Sequence, residues 1–384
     1  MPIRPFKLAV TDAQLNDLRQ RLCNAKLAES LKTDSWEDGT SPAFLQRVLE
    51  YWCDRFDWRS QERRINQLPQ FMTEVDGQTI HFLHQRGNGD KPMPLVITHG
   101  WPGSFLEMQR LLPLLTDPAA HGGDAADAFN VVIPSLPGYG CSPAPTQAGI
   151  SSRQIAGMWK ALMGQLGYER FGAQGGDIGA GVSMWLARDH GPHITGAHLN
   201  YIPGSYRPPL GDGQDALNEA EQDFLNRSSQ FAATEGAYVA LQSTKPQTLA
   251  FALTDSPIGL AAWMLEKFQA WVDHPDDLEQ VISLDTLLTN IALYWFSGNV
   301  HASLRLYKEN RQNPLAFEPG ERVDTPLGVS LFPREIPMPP RSWVARVFDV
   351  HRWEHMARGG HFAALEQPQI LAEEIRAFFR PFRV

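Results

Sequence analysis

The sequence predicts an α/β fold with a mostly parallel central sheet, and two patterns support this prediction. Apolar strand-like runs alternate with amphipathic helical stretches through the first half of the chain, beginning at PLVITHG (94–100). The alternation resumes with TPLGVSLFP (325–333) and WVARVFDVH (343–351), and an amphipathic helix closes the chain from Gln367 to about Phe379. Strands that alternate with helices in this way form parallel sheets.

Residues 1–85 predict a helical extension that leads into the first strands. Thr11 and Gln14 form a capping box at the start of one amphipathic helix. Ser41-Pro42 marks a second helix start, because serine caps the exposed N–H groups and proline suits the first helical position. The apolar period then changes to that of two short strands joined at Asp76-Gly77, which is a typical hairpin turn.

A helical segment interrupts the alternating pattern. Residues 204–314 are rich in aromatic side chains and show no strand alternation, whereas 86–203 and 315–384 do. A parallel sheet whose strand ends bear the catalytic loops, interrupted by a helical lid, is the plan of the α/β-hydrolase fold. The sequence therefore predicts an N-terminal extension, a hydrolase core built from two segments, and a helical lid between them.

Composition excludes several classes of protein. The 384 residues have a formal net charge of -9 and no run of Lys and Arg, which argues against nucleic acid as a partner. No apolar stretch approaches the roughly 20 residues that span a bilayer, and the N-terminus lacks the apolar core of a secretion signal. We expect a soluble, cytoplasmic protein without a membrane anchor. Its oligomeric state stays open, with a homodimer as one alternative.

The sequence predicts neither a metal nor an organic cofactor. Cys23, Cys53 and Cys141 lack the spacing of a zinc site or a disulfide framework, so we expect free thiols. The chain has no P-loop, no H-E-x-x-H and no dinucleotide fingerprint on the opening strands. Any catalysis would therefore use side chains and water.

A candidate nucleophile lies in Gly175-Gly176-Asp177-Ile178-Gly179, where a strand should turn sharply into a helix. In α/β-hydrolases this turn is the nucleophile elbow, and its flanking glycines make room for strained backbone. Asp177 occupies the position of the usual serine, and no G-x-S-x-G occurs in the chain. The pentapeptide taken alone also suits an ordinary turn. Its place between strand and helix favours Asp177 as a nucleophile.

The loop His99-Gly100-Trp101-Pro102-Gly103 follows the strand that begins at residue 94. In this fold that loop supplies half of an oxyanion hole. We expect the backbone N–H groups of Trp101 and Ile178 to converge on a carboxyl oxygen of Asp177. We expect His99 to fix the loop through hydrogen bonds. An ordinary turn closed by proline and glycine is the alternative.

A candidate base lies in Gly359-Gly360-His361-Phe362, after the last strand and before the terminal helix. An α/β-hydrolase places its catalytic histidine there, so we expect His361 to activate water. His351 and His355 fall within or beside the preceding strand, and we expect them to be surface or core residues.

The order nucleophile, acid, histidine requires a carboxylate near the end of the strand GVSLFP. Glu335, which follows this strand, fits that position. Asp324 precedes the strand and Asp349 lies inside the next one, so both are less well placed to reach the histidine. Glu335 is the leading candidate.

Several segments together resemble the microsomal-type epoxide hydrolase family, which includes the juvenile hormone epoxide hydrolases. They are the helical N-terminal extension, HGWPGS, GGDIG, FPREIP and GGHFAALEQP. The likeness covers nearly the whole chain and extends into the lid with TKP, DSP followed by GLAAW, and LYKEN. The family's two lid tyrosines correspond to Tyr238, in EGAYVALQSTKP, and Tyr307, in LRLYKEN. The resemblance implies a family member without the anchor helix of the membrane-bound enzymes.

The resemblance implies hydrolysis of a lipophilic epoxide to a vicinal diol. Asp177 would attack a ring carbon while Tyr238 and Tyr307 hydrogen-bond and protonate the ring oxygen. Water deprotonated by His361, whose imidazolium Glu335 stabilises, would then hydrolyse the resulting ester. A serine nucleophile would form a stable ether with no carbonyl for water to attack. The aspartate is therefore a chemical requirement of this reaction.

Two other functions stay open at this point. A haloalkane dehalogenase shares the aspartate nucleophile, the ester and the histidine base, and Trp101 could supply an indole N–H to a halide. The two tyrosines and the long N-terminal extension argue against it. A non-catalytic hydrolase-fold protein that binds a lipophilic ligand would be expected to lack members of the catalytic set, all of which are present.

Overall fold

A nine-stranded sheet forms the centre of the computed structural model, which describes residues 2–28, 35–274 and 277–383. The first three strand pairs, counted across the sheet from one edge, are antiparallel, and the five pairs that follow are parallel. The spatial order is β1-β2-β3-β5-β4-β6-β7-β8-β9. The strands are β1 (Arg4–Pro5), β2 (Gln70–Val75), β3 (Gln78–Gln85), β4 (Met93–Thr98), β5 (Phe129–Pro134), β6 (Phe171–Gly175), β7 (Ile194–Leu199), β8 (Val323–Leu331) and β9 (Phe348–His355).

Helices cover both faces of this sheet. They are α1 (Asp12–Cys23), α2 (Pro42–Asp54), α3 (Trp58–Ile65), α4 (Leu111–Thr116), α5 (Ser152–Gln165), α6 (Asp177–Asp189), α7 (Glu219–Thr234), α8 (Ala237–Thr244), α9 (Pro246–Asp255), α10 (Pro257–Trp271), α11 (Leu284–Ser297), α12 (Val300–Gln312), α13 (Arg341–Ala345), α14 (Ala363–Glu366) and α15 (Pro368–Phe379). α5 packs beside α6 on one face, and α4 packs beside α15 on the other. The α/β-hydrolase fold predicted from the alternating pattern is confirmed.

Local sequence signals account for the start of the chain. The Thr11 hydroxyl accepts a hydrogen bond from the backbone N–H of Gln14, which completes the capping box of α1. β2 and β3 join at the predicted hairpin, where Asp76 and Gly77 both have positive φ, at 50° and 78°. Sequence reasoning missed the two-residue strand β1, which pairs with the edge of β2.

Two predicted elements are wrong in detail. Residues 343–345 begin a predicted strand, but they belong to α13, and β9 starts only at Phe348. Pro340 occupies the N-cap position of this short helix. The helix buries its apolar side chains Trp343 and Val344. The predicted helix over 104–115 is split into a 3₁₀ turn (Phe105–Gln109) and α4. A continuous helix is excluded there because Pro113 has no N–H to donate.

The helices α7 to α12 stand between β7 and β8, where the sequence predicts a lid. The N-terminal extension packs against this block, since α1 and α2 both contact α10. Thr40 Oγ1 donates to Ala262 O at 2.7 Å, and Arg47 pairs with Glu279 at 2.9 Å. Within the described ranges no single helix has both the length and the apolar character to cross a membrane, although α9 and α10, bent by 118°, meet these requirements as a pair.

Candidate active site

Asp177 lies at the junction of β6 and α6, at the carboxyl end of the sheet. Its φ of 47° is in the left-handed region, which a side chain with a Cβ rarely adopts. The turn is tight because α6 approaches β4 closely: a Cβ on Gly179 would lie 1.9 Å from the carbonyl oxygen of Thr98. This is the strained strand-to-helix geometry of a nucleophile elbow.

The backbone N–H of Trp101 donates a hydrogen bond to Asp177 Oδ1 at 2.7 Å. Burial raises the pKa of Asp177, and the nearby His361 and the backbone N–H groups of Trp101 and Ile178 oppose this rise. The structure thus brings both predicted oxyanion donors to the carboxylate. His99 lies beneath the loop, where its Nδ1 bonds to Gly100 O at 3.1 Å and its Nε2 accepts from Leu136 N at 3.3 Å.

His361 lies between two carboxylates. Its Nδ1 is 2.6 Å from Glu335 Oε1, and its Nε2 is 3.7 Å from Asp177 Oδ2. The backbone N–H of Ile336 also donates to Glu335 Oε1, at 2.9 Å, and so holds the acid in place. Asp349 instead bonds to His351 Nε2 on the exposed side of β9, at 2.7 Å. The structure brings together the nucleophile, base and acid that the sequence suggested.

These groups set the charge of the site. Burial lowers the pKa of His361, but the hydrogen bond and charge of Glu335, with the charge of Asp177, outweigh burial and raise the pKa to about 9. A pKa of about 9 keeps His361 positively charged at neutral pH, with its Nε2 facing the carboxyl of Asp177. Loss of the charge on Asp177 would lower the pKa of His361 and leave a larger neutral fraction of the imidazole able to accept a proton.

Tyr238 and Tyr307 stand above Asp177 on α8 and α12. Their ring centroids are 6.0 Å apart, and each ring contacts that of Trp101. Burial, reinforced by Asp177, raises the pKa of both phenols well above the ordinary value. Both hydroxyls therefore keep their protons at neutral pH and can donate hydrogen bonds.

Hydrogen bonding separates these two tyrosines from the others. Among the described residues, the hydroxyls of Tyr238 and Tyr307 have no hydrogen-bond partner, whereas five of the six other tyrosine hydroxyls have one at 2.7–3.1 Å. These five are Tyr51 with Asp285, Tyr139 with Ser303, Tyr168 with His84, Tyr206 with Trp343, and Tyr294 with Gly103. The hydroxyl of the sixth, Tyr201, lies beside Gly204. Buried hydroxyls normally find a partner, so two that converge without one indicate a place for a ligand acceptor.

A cavity of about 510 Å³ lies between Asp177 and the lid helices. We call it the lid cavity; its wall includes both phenols, Trp185, Pro203 and Val239. Its volume suits a small organic molecule. A larger groove of about 940 Å³ lies at the amino ends of β4, β6, β7 and β8, on the opposite edge of the sheet from Asp177, and holds none of these residues.

Comparison with known proteins identifies the family. The family described as "Epoxide hydrolase N terminus" matches residues 3–108, and the one described as "alpha/beta hydrolase fold" matches residues 93–245. A relative from Stigmatella aurantiaca is 44% identical over 99% of this chain and 86% of its own. Epoxide hydrolase 1 of Oryctolagus cuniculus is 38% identical over 98% of this chain and 88% of that protein. The chain belongs to the epoxide hydrolase family.

A solved structure agrees with this assignment. Aspergillus niger epoxide hydrolase superposes on this family member with a TM-score of 0.85 and 32% identity, over 100% of this chain and 97% of that one. The resemblance inferred from the sequence segments is confirmed, and so is the prediction of a hydrolase.

Two carboxylates of this epoxide hydrolase escaped sequence reasoning. Glu366 accepts hydrogen bonds from the backbone N–H groups of Asp273, Gly360 and Phe362 at 2.8–2.9 Å and so fixes the loop that carries His361. Glu366 lies within GGHFAALEQP, but no feature of this segment predicts that the carboxylate is buried. Glu107 is partly buried near His361 and Asp177. The only sequence signal for this position is its short distance from the end of β4.

Proposed function

We propose that this epoxide hydrolase converts a lipophilic epoxide to a vicinal diol through a covalent ester on Asp177. The proposal rests above all on one observation: two tyrosines, whose hydroxyls have no hydrogen-bond partner among the described residues, line the same cavity as a carboxylate at a nucleophile elbow. An epoxide needs a nucleophile at carbon and proton donors at oxygen, and this arrangement offers both.

Ring opening uses the lid cavity. A carboxylate oxygen of Asp177 attacks a ring carbon, the C–O bond of the ring breaks, and the oxygen takes a proton from Tyr238 or Tyr307. Phenols with a raised pKa stay protonated until the alkoxide forms, so they are suited to this donation. The product of this step is a hydroxyalkyl ester of Asp177.

Ester hydrolysis uses the other side of the nucleophile. His361 takes a proton from water, the water oxygen bonds to Cγ of Asp177, and Glu335 stabilises the imidazolium. The backbone N–H groups of Trp101 and Ile178 stabilise the oxyanion. The bond from Cγ to the diol oxygen then breaks, and the diol oxygen takes the proton held by His361. The new carboxylic acid of Asp177 gives up its proton and the tyrosinate left by ring opening regains one, so both groups return to their starting state.

We further propose that α7 to α12 act as the lid that defines substrate choice. Trp185, Pro203, Val239 and Pro314 give the lid cavity an apolar wall, which favours a lipophilic epoxide. The net charge of -9 and the absence of any apolar run long enough for a bilayer support action in the cytoplasm, without a nucleic-acid partner. The homodimer remains a proposal that sedimentation can test.

A single turnover of an aryl epoxide in ¹⁸O-water, with enzyme in excess, tests the covalent mechanism. The first diol should carry no label, because its new oxygen comes from Asp177. The label should appear in the proteolytic peptide that contains Asp177, as measured by mass spectrometry. Label in the first diol would refute the ester and require direct attack by water.

A further inference from the structure

Two cavities meet at the nucleophile. The lid cavity lies on the side of the two tyrosines. A second cavity of about 20 Å³, which we call the rear cavity, has a wall that includes Trp101, Glu107, Asn200 and His361. Of the residues described, Asp177 alone lines both cavities. A group bound in the lid cavity and a group bound in the rear cavity would therefore reach the same carboxyl from different sides.

The size and the wall of the rear cavity suit one water molecule. Roughly 10–15 Å³ suffices for one water, which then needs polar partners. His361 lines this space, and the distance of 3.7 Å between its Nε2 and Asp177 Oδ2 is too long for a direct hydrogen bond. His99 also lines the cavity, but both of its ring nitrogens already bond to backbone groups.

Besides Asp177, Glu107 is the acidic residue that lines the rear cavity. It lies on the 3₁₀ turn after the oxyanion loop, and the Ser104 backbone is its one hydrogen-bonding neighbour in the described part of the chain. Its carboxyl occupies space that any side chain at position 103 would take, since a Cβ on Gly103 would lie 1.4 Å from Glu107 Oε1. The glycine of the oxyanion loop thus makes room for this carboxyl.

The charge state of Glu107 matches such a role. Burial raises its pKa to about 8, the charge of Asp177 adds to the rise, and His361 opposes it. At neutral pH the group is mainly the neutral acid, which has one O–H donor and one carbonyl acceptor. It can therefore bind water without placing a second negative charge beside Asp177.

We propose that the rear cavity binds the hydrolytic water and that Glu107 is a positioning residue, which holds this water between His361 and the ester carbon of Asp177. This inference rests on the proposed ester mechanism. Glu107 itself neither gains nor loses a proton, since His361 takes the proton from water and returns it to the departing diol. Substrate and water then occupy separate sites on the two sides of one side chain.

The test compares Glu107→Leu with Glu107→Gln. Leucine has a similar size but no polar atoms, whereas glutamine keeps a donor and an acceptor. Misplacement of a reacting group by about 1 Å can cost about 10²-fold, so we expect Glu107→Leu to slow ester hydrolysis by about 10–100-fold. Glutamine should restore the rate to within about threefold of the wild type. Rapid-quench kinetics with intact-protein mass spectrometry measure formation and decay of the ester separately.

The steady-state signature separates positioning from general damage. If only ester decay is slow, kcat and KM fall together, kcat/KM is unchanged, and the ester accumulates. A fall in kcat/KM without accumulated ester would overturn the proposal, as would a Gln variant as slow as the Leu variant. If Glu107→Leu does not fold, Gly103→Ala tests the same role, because the added Cβ displaces the Glu107 carboxyl without changing residue 107. The Gly103→Ala enzyme should accumulate ester. Unchanged ester decay in this variant would overturn the proposal.

His361→Ala separates this inference from the mechanism on which it rests. Ester in that variant, together with normal ester decay in Glu107→Leu, would refute the role of Glu107 and leave the covalent mechanism intact. No ester in any variant would refute the covalent mechanism itself.

Discussion

The hydrolase core and the lid hold their polar groups in opposite ways. In the core, Asp177 accepts from the Trp101 amide at 2.7 Å, and His361 bonds to Glu335 at 2.6 Å. In the lid, the hydroxyls of Tyr238 and Tyr307 lack partners among the described residues, although their rings are packed. In the mechanism that we propose, the core is preorganised before substrate binds, whereas the lid keeps its hydrogen-bonding capacity for the substrate. This division predicts that core and lid variants fail at different steps.

Asp177→Asn should have the largest effect, because it removes the nucleophile on which both steps depend. We expect diol formation to fall by at least about 10⁴-fold, with no ester detectable by mass spectrometry. The matched control is Asp349→Asn, an exposed carboxylate on β9, which should retain wild-type turnover. Diol formation by Asp177→Asn at a rate near wild type would show that Asp177 is not the nucleophile, and the proposed division of roles between core and lid would then be wrong.

His361→Ala should separate the two steps within the core. Ring opening should proceed, since Asp177 and both tyrosines remain, but the ester should persist because no base activates water. We expect a stoichiometric mass increase on the protein and turnover reduced by at least about 10³-fold. His351→Ala, on the exposed side of β9, is the control. Full turnover in His361→Ala would place the base elsewhere.

The core site could be located from sequence because its residues lie in local patterns. The glycines around Asp177 and before His361 mark turns whose position between strand and helix is readable in the chain. Glu335 was preferred over Asp324 because the chemistry needs the carboxyl end of β8, and the structure places Glu335 beside His361.

The lid site could not be located in this way. Eight tyrosines are present, and the resemblance to a family was needed to select two of them. Within the described part of the chain, Tyr238 and Tyr307 are distinguished by hydroxyls without a hydrogen-bond partner, a property that depends on contacts across separate helices. Glu107 could not be identified from the sequence for the same reason: its place beside the active site depends on Gly103 and on a cavity that only the folded chain forms.

Replacing both lid tyrosines, in Tyr238→Phe with Tyr307→Phe, should slow ring opening and leave ester decay unchanged. Each general-acid contribution is worth about 10²–10⁴-fold, so we expect kcat/KM to fall by at least about 10²-fold without accumulation of ester. Tyr168→Phe is the control, since that hydroxyl bonds to His84 away from the lid cavity. Intact turnover in the double variant would contradict the role of the lid and reopen the dehalogenase alternative.

The smallest expected effect is a shift in the titration of His361. Burial lowers the pKa of this histidine, but Glu335 and, to a lesser extent, Asp177 raise it to about 9. Asp177→Asn removes one of these charges, as ester formation does, so the pKa should fall in this variant. It should fall further in Glu335→Gln, because Glu335 contributes the stronger attraction. Titration of the imidazole by NMR measures both changes.

The sign of this shift links the two steps of catalysis. The pKa of about 9 keeps His361 protonated through neutral pH, and the negative charge of Asp177 contributes to this raised pKa. Once the ester forms, that negative charge is gone, the pKa of His361 falls, and a larger fraction of the imidazole is free to accept a proton from water. In single turnovers, ester decay should therefore reach half its maximum rate at a pH below the pKa of His361 in the free enzyme. A midpoint at or above that pKa would mean that ester formation does not lower the pKa of His361, and that the protonation of the core is the same in both steps.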